Sequence, residues 1–153
     1  MLTAAGTIDR ERTARVVEQV GPQRAVFHRA FDVTPAANEA LEQLIDLGVR
    51  RVMTSGQEEA AYNGAATLAA LRVQAAGRIE LLPAGGINRF TVADVLARTG
   101  CDQVHASLRG RREDRSVAAR PQVSFGGPVK IPEDRYDATS AEAVADLRGR
   151  LSG

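Results

Sequence analysis

Three side chains with acid–base or anion chemistry follow one short apolar segment: His28, Arg29 and Asp32. Ala25-Val26-Phe27 before them predicts a strand, and Thr34-Pro35 after them predicts the start of a helix. Histidine transfers protons near neutral pH, and arginine donates two parallel hydrogen bonds to a carboxylate or phosphate. Aspartate either orients the histidine or the arginine, or acts as a base. Because substrates of parallel α/β proteins bind at the carboxyl ends of strands, this spacing predicts a small-molecule or anion site. The alternative is that these polar groups only order the loop.

Small donors follow the other predicted strands, where hydroxyl and backbone N–H groups would face the same ligand. They are Thr54, Ser55, Gly56, Gly85, Gly86 and Ser107. Glycine allows close approach of a ligand, so Gly85-Gly86 with Ser107 indicates a phosphate site. His105 ends the last predicted strand and either faces this site or packs between strand and helix. Because side chains alternate along a strand, only one of His28 and Arg29 is expected to face the site, and the sequence does not decide which.

The rest of the chain alternates strands and helices. Strands are predicted at 24–28, 49–53, 79–82 and 103–106, and helices at 9–20, 34–48, 57–75 and 88–98. The sequence of helix, glycine, strand and hydroxyl recurs after 52 residues, which is typical of repeated βα units. Short βα connections predict a parallel sheet, either doubly wound or part of a (β/α)8 barrel, and the glycine pair followed by Ser107 favours the barrel.

Composition sets the class of protein. The 153 residues carry a net charge of +1, with 44% hydrophobic and 25% charged residues, as in a soluble single domain spanning 1–153. The near-neutral charge argues against nucleic-acid and membrane partners. Cys101 is the one cysteine, so no intrachain disulfide forms, which fits a cytoplasmic location. The N-terminus has no signal-peptide pattern, and no apolar run is long enough to span a bilayer.

The C-terminal part of the sequence differs in composition and lacks the alternation of strands and helices. Residues 108–137 contain many arginines, three prolines and a glycine pair without hydrophobic period, which predicts a long basic loop. That loop either lies over the active face or is mobile, and its charges are either a solvated surface or an anion contact. A final helix is expected over 139–151, with Thr139 or Ser140 as its N-cap.

Several blocks of this sequence resemble the CutC family, historically named copper homeostasis proteins. The blocks are Leu2–Asp9, Phe27–Asp32, Leu41–Gly56, Pro83–Ile87, Val104–Ser107 and Arg120–Gly127. They occur in order along nearly the whole chain. The resemblance implies a TIM barrel, a cytoplasmic location and a role in copper homeostasis, including copper binding.

On the family pattern, the four predicted strands correspond to the last four strands of the barrel. About 100 of the ~250 residues of a full barrel would then be missing, as in a truncated gene, a misplaced start codon or a fragment. A partial barrel leaves exposed strand edges, which proteins normally avoid. We therefore expect a homodimer that closes the sheet across its interface.

The residues and the family resemblance together leave three possible functions, of which the first is the one that the resemblance implies. The first is a CutC-like cytoplasmic protein of copper homeostasis, for which the metal ligands are unassigned because no paired Cys, Met or His spacing occurs. The second is a barrel enzyme of lyase or isomerase type, acting on a phosphorylated or carboxylated metabolite with His28, Arg29, Asp32 and His105 as catalytic groups. The third is an inactive, truncated remnant.

Overall fold

A computed structural model describes residues 1–124, 126 and 132–151 of the chain. Its fold is α/β, as predicted, and it divides into two compact units, Met1–Ala106 and Ser107–Gly153. The assignment of residues 1–153 to one domain stays a prediction. In the described residues, no helix combines the length and the apolar character needed to cross a membrane.

The first unit is built on a parallel sheet of three strands in the order β1-β2-β3. These strands are β1 (Val26–Phe27), β2 (Arg51–Thr54) and β3 (Glu80–Pro83). Phe27 pairs with Val52, and Val52 pairs with Leu81. Their carboxyl ends therefore lie at one edge, as the sequence predicts, whereas a partial barrel stays a prediction.

The predicted strand at 103–106 is wrong, because only one bridge joins this segment to the sheet, between Ala84 and His105. The His105 N–H donates to the Pro83 carbonyl at 2.9 Å. In a parallel ladder the N–H of residue 83 would bond back to the carbonyl of Gln103. Proline has no N–H, so the ladder stops after one bond.

Four helices connect and flank these strands: α1 (Arg10–Val20), α2 (Ala37–Asp46), α3 (Ala65–Ala75) and α4 (Val92–Thr99). Asp9 caps α1 as expected, since its side chain accepts from the N–H of Arg12. Thr34 does not cap α2, because its hydroxyl donates instead to the Phe31 carbonyl at 2.8 Å and closes the preceding turn. The α3 helix begins at Ala65 rather than at 57, since residues 56–64 form a loop over the strand ends.

The core of this unit lies between one sheet face and the helices. Phe27, Val52 and Leu81 are buried in one cluster with side chains of α1, α2 and α3. Leu41 and Leu44 of α2 have no exposed surface. The apolar period that predicts the helices is thus the set of contacts that holds them against the strands.

The second unit contains a hairpin where a long loop is expected. β4 (Arg109–Glu113) pairs antiparallel with β5 (Arg135–Thr139), so the loop prediction for 108–137 is wrong at both ends. Arg111 faces Asp137 across the pair, and opposite charges rather than apolar alternation support the strands. Part of the predicted loop, 125 and 127–131, lies outside the described residues.

The final helix α5 (Ala141–Gly149) forms within the predicted range 139–151. Of the two predicted caps, Ser140 is the one used. Its hydroxyl accepts from the N–H of Ala143 at 3.2 Å.

Candidate functional site

The candidate site lies at the carboxyl ends of β1 and β2, where a tight turn follows β1. Residues Arg29–Val33 form one turn of 3-10 helix that begins directly after His28. The His28 ring accepts through Nδ1 from the Ala30 N–H at 3.0 Å and so caps this turn. The chain therefore bends after Phe27, and the side chains of His28 and Arg29 point in different directions. The sequence alone does not show which of the two faces the site.

Asp32 accepts hydrogen bonds from both strand ends, and only 7% of its side chain is exposed. One carboxylate oxygen accepts from the Thr54 hydroxyl at 2.5 Å and from the Ser55 N–H at 3.0 Å. The other accepts from Arg29 Nε at 2.7 Å and lies 3.0 Å from the Ser55 hydroxyl. These contacts use both oxygens of the Asp32 carboxylate and hold Arg29, Thr54 and Ser55 around it.

Arg29 joins the turn after β1 to the loop after β2. Its Nη2 donates to the Ser55 hydroxyl at 2.6 Å and to the Glu58 carbonyl at 3.0 Å, and it lies 3.3 Å from the Glu59 carbonyl. The Ser55 hydroxyl also contacts the Glu58 carbonyl. Because Ser55 has one proton, that proton serves either Asp32 or Glu58 at a given moment.

Gly85 brings the third strand end against the same guanidinium. A Cβ atom at Gly85 would lie 2.9 Å from Arg29 Nη1 and 3.1 Å from the Glu59 carbonyl. Its φ of +97° also favours glycine. Gly86 approaches the same loop, because a Cβ there would lie 3.0 Å from the Ala60 Cβ. These glycines therefore admit the loop after β2 to the end of β3.

The loop itself is closed by another glycine pair. A Cβ on Gly56 would lie 2.4 Å from the Gly64 carbonyl oxygen, and one on Gly64 would lie 1.9 Å from the Ser55 carbonyl oxygen. The Gly56 N–H donates to the Thr54 hydroxyl at 2.9 Å. This approach returns the chain over Ser55 before α3 begins.

The structure brings most of the predicted site residues together and leaves His28, His105 and Ser107 outside this group. The residues in contact are Arg29, Asp32, Thr54, Ser55, Gly56 and Gly85, with Gly86 beside the same loop. His28 is exposed and stacks on Phe27 with ring centroids 5.7 Å apart. His105 is exposed at the other edge of the sheet. Ser107 belongs to the second unit, so the phosphate site that joins it to Gly85 and Gly86 stays a prediction.

Sequence reasoning misses the backbone carbonyls of Glu58 and Glu59 and the part played by Gly64. Every residue has a backbone carbonyl, so no residue type could show that these two carbonyls accept hydrogen bonds from Arg29. Gln57 is missed as well, although its amide side chain donates to the Thr34 carbonyl at 2.5 Å. Among these missed residues, only Gly64 could have been noticed from its residue type, because it is a glycine directly before the apolar stripe of α3.

Copper, which the family resemblance implies, does not fit the side chains of the described residues. No three His, Cys, Asp or Glu side chains in them are grouped to hold a metal ion. Cys101 is buried, and burial raises the pKa of its thiol, which disfavours the thiolate that binds metal. His28 and His105 lie at opposite edges of the sheet, about three strand spacings or ~14 Å apart.

Fold and site together define an α/β protein with an arginine–aspartate cluster at the carboxyl ends of parallel strands. The CutC family profile matches residues 1–110. The CutC family protein of Treponema denticola is 42% identical over 142 residues, covering 93% of this chain and 58% of the relative. That of Porphyromonas gingivalis is 40% identical over 152 residues, covering 99% and 61%. The chain belongs to the CutC family.

A solved structure agrees with this assignment. It is a CutC protein from Streptococcus agalactiae, named as a candidate copper homeostasis protein, with 32% identity and a TM-score of 0.60. The match covers 69% of this chain and 52% of that one. The chain spans about 60% of the length of the curated relatives that it matches.

Proposed function

We propose that this chain is a cytoplasmic protein of copper homeostasis whose strand-end cluster binds a small carboxylate or phosphate. The family name supports the first part and the geometry of Arg29 supports the second. Nε and Nη2 of Arg29 are fixed by Asp32, Ser55 and two carbonyls, whereas Nη1 donates to no group among the described residues. Because 39% of the whole Arg29 side chain is exposed and Nη1 lies beside Gly85, which has no side chain, we infer that Nη1 is a preoriented donor for an anion.

Titration of the full chain with inorganic phosphate and with a dicarboxylate tests this proposal. Side-chain 15N NMR should show Arg29 Nη1 shifting on saturation, while Arg15, which is paired with Glu11 on α1, should not shift. Arg29→Lys should raise the dissociation constant about tenfold or more, because lysine cannot fork. Arg15→Lys is the matched control. An unshifted Arg29 signal at saturation, or equal affinity in Arg29→Lys, would contradict the proposal.

Copper binding by this chain is supported by the family name alone. A competition titration of Cu(I) against a chromophoric chelator separates it from anion binding. We expect no stoichiometric complex, since Cys101 is buried and no metal-binding cluster lies in the described residues. A one-to-one complex that Cys101→Ser abolishes would instead support copper binding.

A lyase or isomerase function is the second candidate, and the location of the cluster at strand ends favours it. In such a reaction Asp32 would be a positioning residue. His28 would be the proton-transferring group, since Nδ1 is occupied by Ala30 and the exposed ring leaves Nε2 for a ligand. Loss of turnover in His28→Gln with unchanged anion affinity would support it.

We also propose that β1, β2 and β3 are part of a (β/α)8 barrel. The support is their parallel order, in which sequential strands are neighbours, and the TM-score of 0.60 to a longer family member.

A further inference from the structure

The guanidinium of Arg29 offers an anion two pairs of parallel N–H groups. A carboxylate or phosphate binds either across Nε and Nη2 or across Nη1 and Nη2, which we call the end pair. The first pair is used within the chain, because Nε donates to Asp32 at 2.7 Å and Nη2 donates to the Ser55 hydroxyl at 2.6 Å. That hydroxyl lies 3.0 Å from the same Asp32 oxygen and so lies on the Nε side of the guanidinium. An anion from solution therefore needs the end pair.

One half of the end pair is occupied by the loop between β2 and α3, residues 56–64. Nη2 of Arg29 also donates to the Glu58 carbonyl at 3.0 Å and lies 3.3 Å from the Glu59 carbonyl. Because the Nε side already holds Ser55, these carbonyls lie on the end of the guanidinium. They take the place of one oxygen of an anion that would bind both Nη1 and Nη2.

The β2–α3 loop has its two ends in contact. A Cβ atom on Gly56 would lie 2.4 Å from the Gly64 carbonyl oxygen, so the chain leaves and rejoins the fold at one point. Compact surface loops of this kind are frequently functional. Since the ends already meet, residues 57–63 can move away from Arg29 while β2 and α3 keep their places.

Two contacts that do not involve Arg29 hold the loop in place. The guanidinium of Arg98 on α4 lies over the Tyr62 ring, 4.8 Å from its centroid, and Nη1 of Arg98 donates to the Tyr62 carbonyl at 2.9 Å. The Ala61 N–H donates to the Gly85 carbonyl at 3.0 Å, and Ala61 has no exposed surface. Both Arg98 and Tyr62 are exposed, so water competes for their contact and the loop is held only weakly from this side.

We propose that the β2–α3 loop is a gate on the anion site. The Glu58 and Glu59 carbonyls close the gate by occupying Nη2 of Arg29, and an anion that binds the end pair displaces them. This inference rests on the proposed function, since it describes how the same arginine admits its ligand. The apparent affinity is reduced by the fraction of chains whose gate is closed, so a change that loosens the loop strengthens anion binding.

Arg98→Met tests the gate, because it removes both contacts with Tyr62 and lies outside the anion site. Titration of the full chain with inorganic phosphate should give a dissociation constant about fivefold lower than that of wild type. Arg98→Lys keeps a cation beside the Tyr62 ring and should lie closer to wild type. Arg15→Met is the matched control, since Arg15 is an exposed arginine paired with Glu11 on α1, and it should leave the dissociation constant unchanged.

Equal or weaker phosphate binding in Arg98→Met than in wild type would overturn the gate and leave the anion site in place. No binding in either chain, with no shift of the Arg29 signals, would overturn the proposed function and the gate together. If Arg98→Met does not fold, hydrogen exchange of the wild-type chain decides. The Ala61 amide should exchange faster with saturating phosphate than without it, while the Leu71 amide in α3 should not change. Equal or slower exchange at Ala61 would overturn the gate.

Discussion

At the scale of single residues, Asp32 connects the turn after β1 to the end of β2. Its carboxylate takes hydrogen bonds from Arg29, Thr54 and Ser55, and it is nearly buried. Asp32→Asn should lower the free energy of unfolding by about 2–3 kcal/mol, because it removes charge-assisted bonds and turns an N–H₂ group towards donors. Urea unfolding measures the change.

The control for Asp32→Asn is Glu18→Gln, since Glu18 is an exposed acid on α1. It loses the same charge without a buried network and should change the free energy by less than about 0.5 kcal/mol. Equal effects of the two substitutions would mean that the network around Asp32 contributes nothing to stability.

Glu80 gives a prediction about pH. Its pKa lies below the ordinary value of 4.5, first because Arg51 donates a hydrogen bond to the carboxylate and further because of Gln103 and the charge of Arg50. A carboxyl group that is more acidic in the folded state stabilises the fold fully above its unfolded pKa. That contribution is lost as the pH falls through the folded pKa.

The stability difference between wild type and Glu80→Gln should therefore be constant from neutral pH to about pH 5 and should narrow below pH 4.5. Urea unfolding over a pH series measures it. A difference that grows on acidification would show that Glu80 is less acidic in the folded chain, against the contacts described.

Residue types predicted much of the candidate site, because strand ends can be located from apolar runs and their polar followers are visible in the sequence. This reasoning predicts Arg29, Asp32 and Ser55, and the structure brings the three side chains into contact. The sequence leaves Asp32 open between an orienting group and a base, and it does not show which groups hold Arg29, because both depend on contacts such as those with the Thr54 hydroxyl and the Glu58 carbonyl. Those contacts arise from loop geometry rather than from spacing along the chain.

At the scale of elements, the loop between β2 and α3 depends on Gly64. Its φ of −83° suits any residue, so the requirement for glycine is purely steric. Gly64→Ala places a methyl group 1.9 Å from the Ser55 carbonyl oxygen. We expect a loss of about 3 kcal/mol or more, because backbone on both sides must move. Thermal and urea unfolding test it.

Gly77→Ala separates this clash from ordinary glycine strain. Gly77 has a φ of +77°, and nothing lies within 4 Å of the Cβ position there. The cost should be only that of a left-handed alanine, about 1–2 kcal/mol. If Gly64→Ala is no worse than Gly77→Ala, the loop relaxes freely and does not fix Ser55.

The helices and β4 show which elements a sequence reveals. The period of Leu41 and Leu44 predicts α2 because burial against the sheet produces that period. The hairpin of β4 and β5 has no such signal, since its residues are mostly exposed and are paired by charge across the strands, as at Arg111 and Asp137. Cross-strand partners 26 positions apart cannot be recognised before the fold is known.

At the scale of the whole molecule, the two units differ in how much apolar surface they bury. The first unit holds every member of the core cluster. In the second, Leu147 is the one buried side chain among the residues described there. A two-stranded hairpin with one helix and so small a core is marginally stable by itself.

We therefore expect the units to open at different free energies. In native-state hydrogen exchange, amides of β4 and β5 should exchange through a local opening at low denaturant, while amides of Leu44, Val52 and Leu71 should require global unfolding. The measurement is exchange followed residue by residue against denaturant concentration. If the amides of β4 and β5 have the same exchange free energies as the core amides at every denaturant concentration, the chain unfolds as one cooperative unit and 1–153 is a single domain. Leu147→Ala sharpens the test, because it should lower the opening free energy of β4 and β5 by about 2 kcal/mol and leave the core amides unchanged.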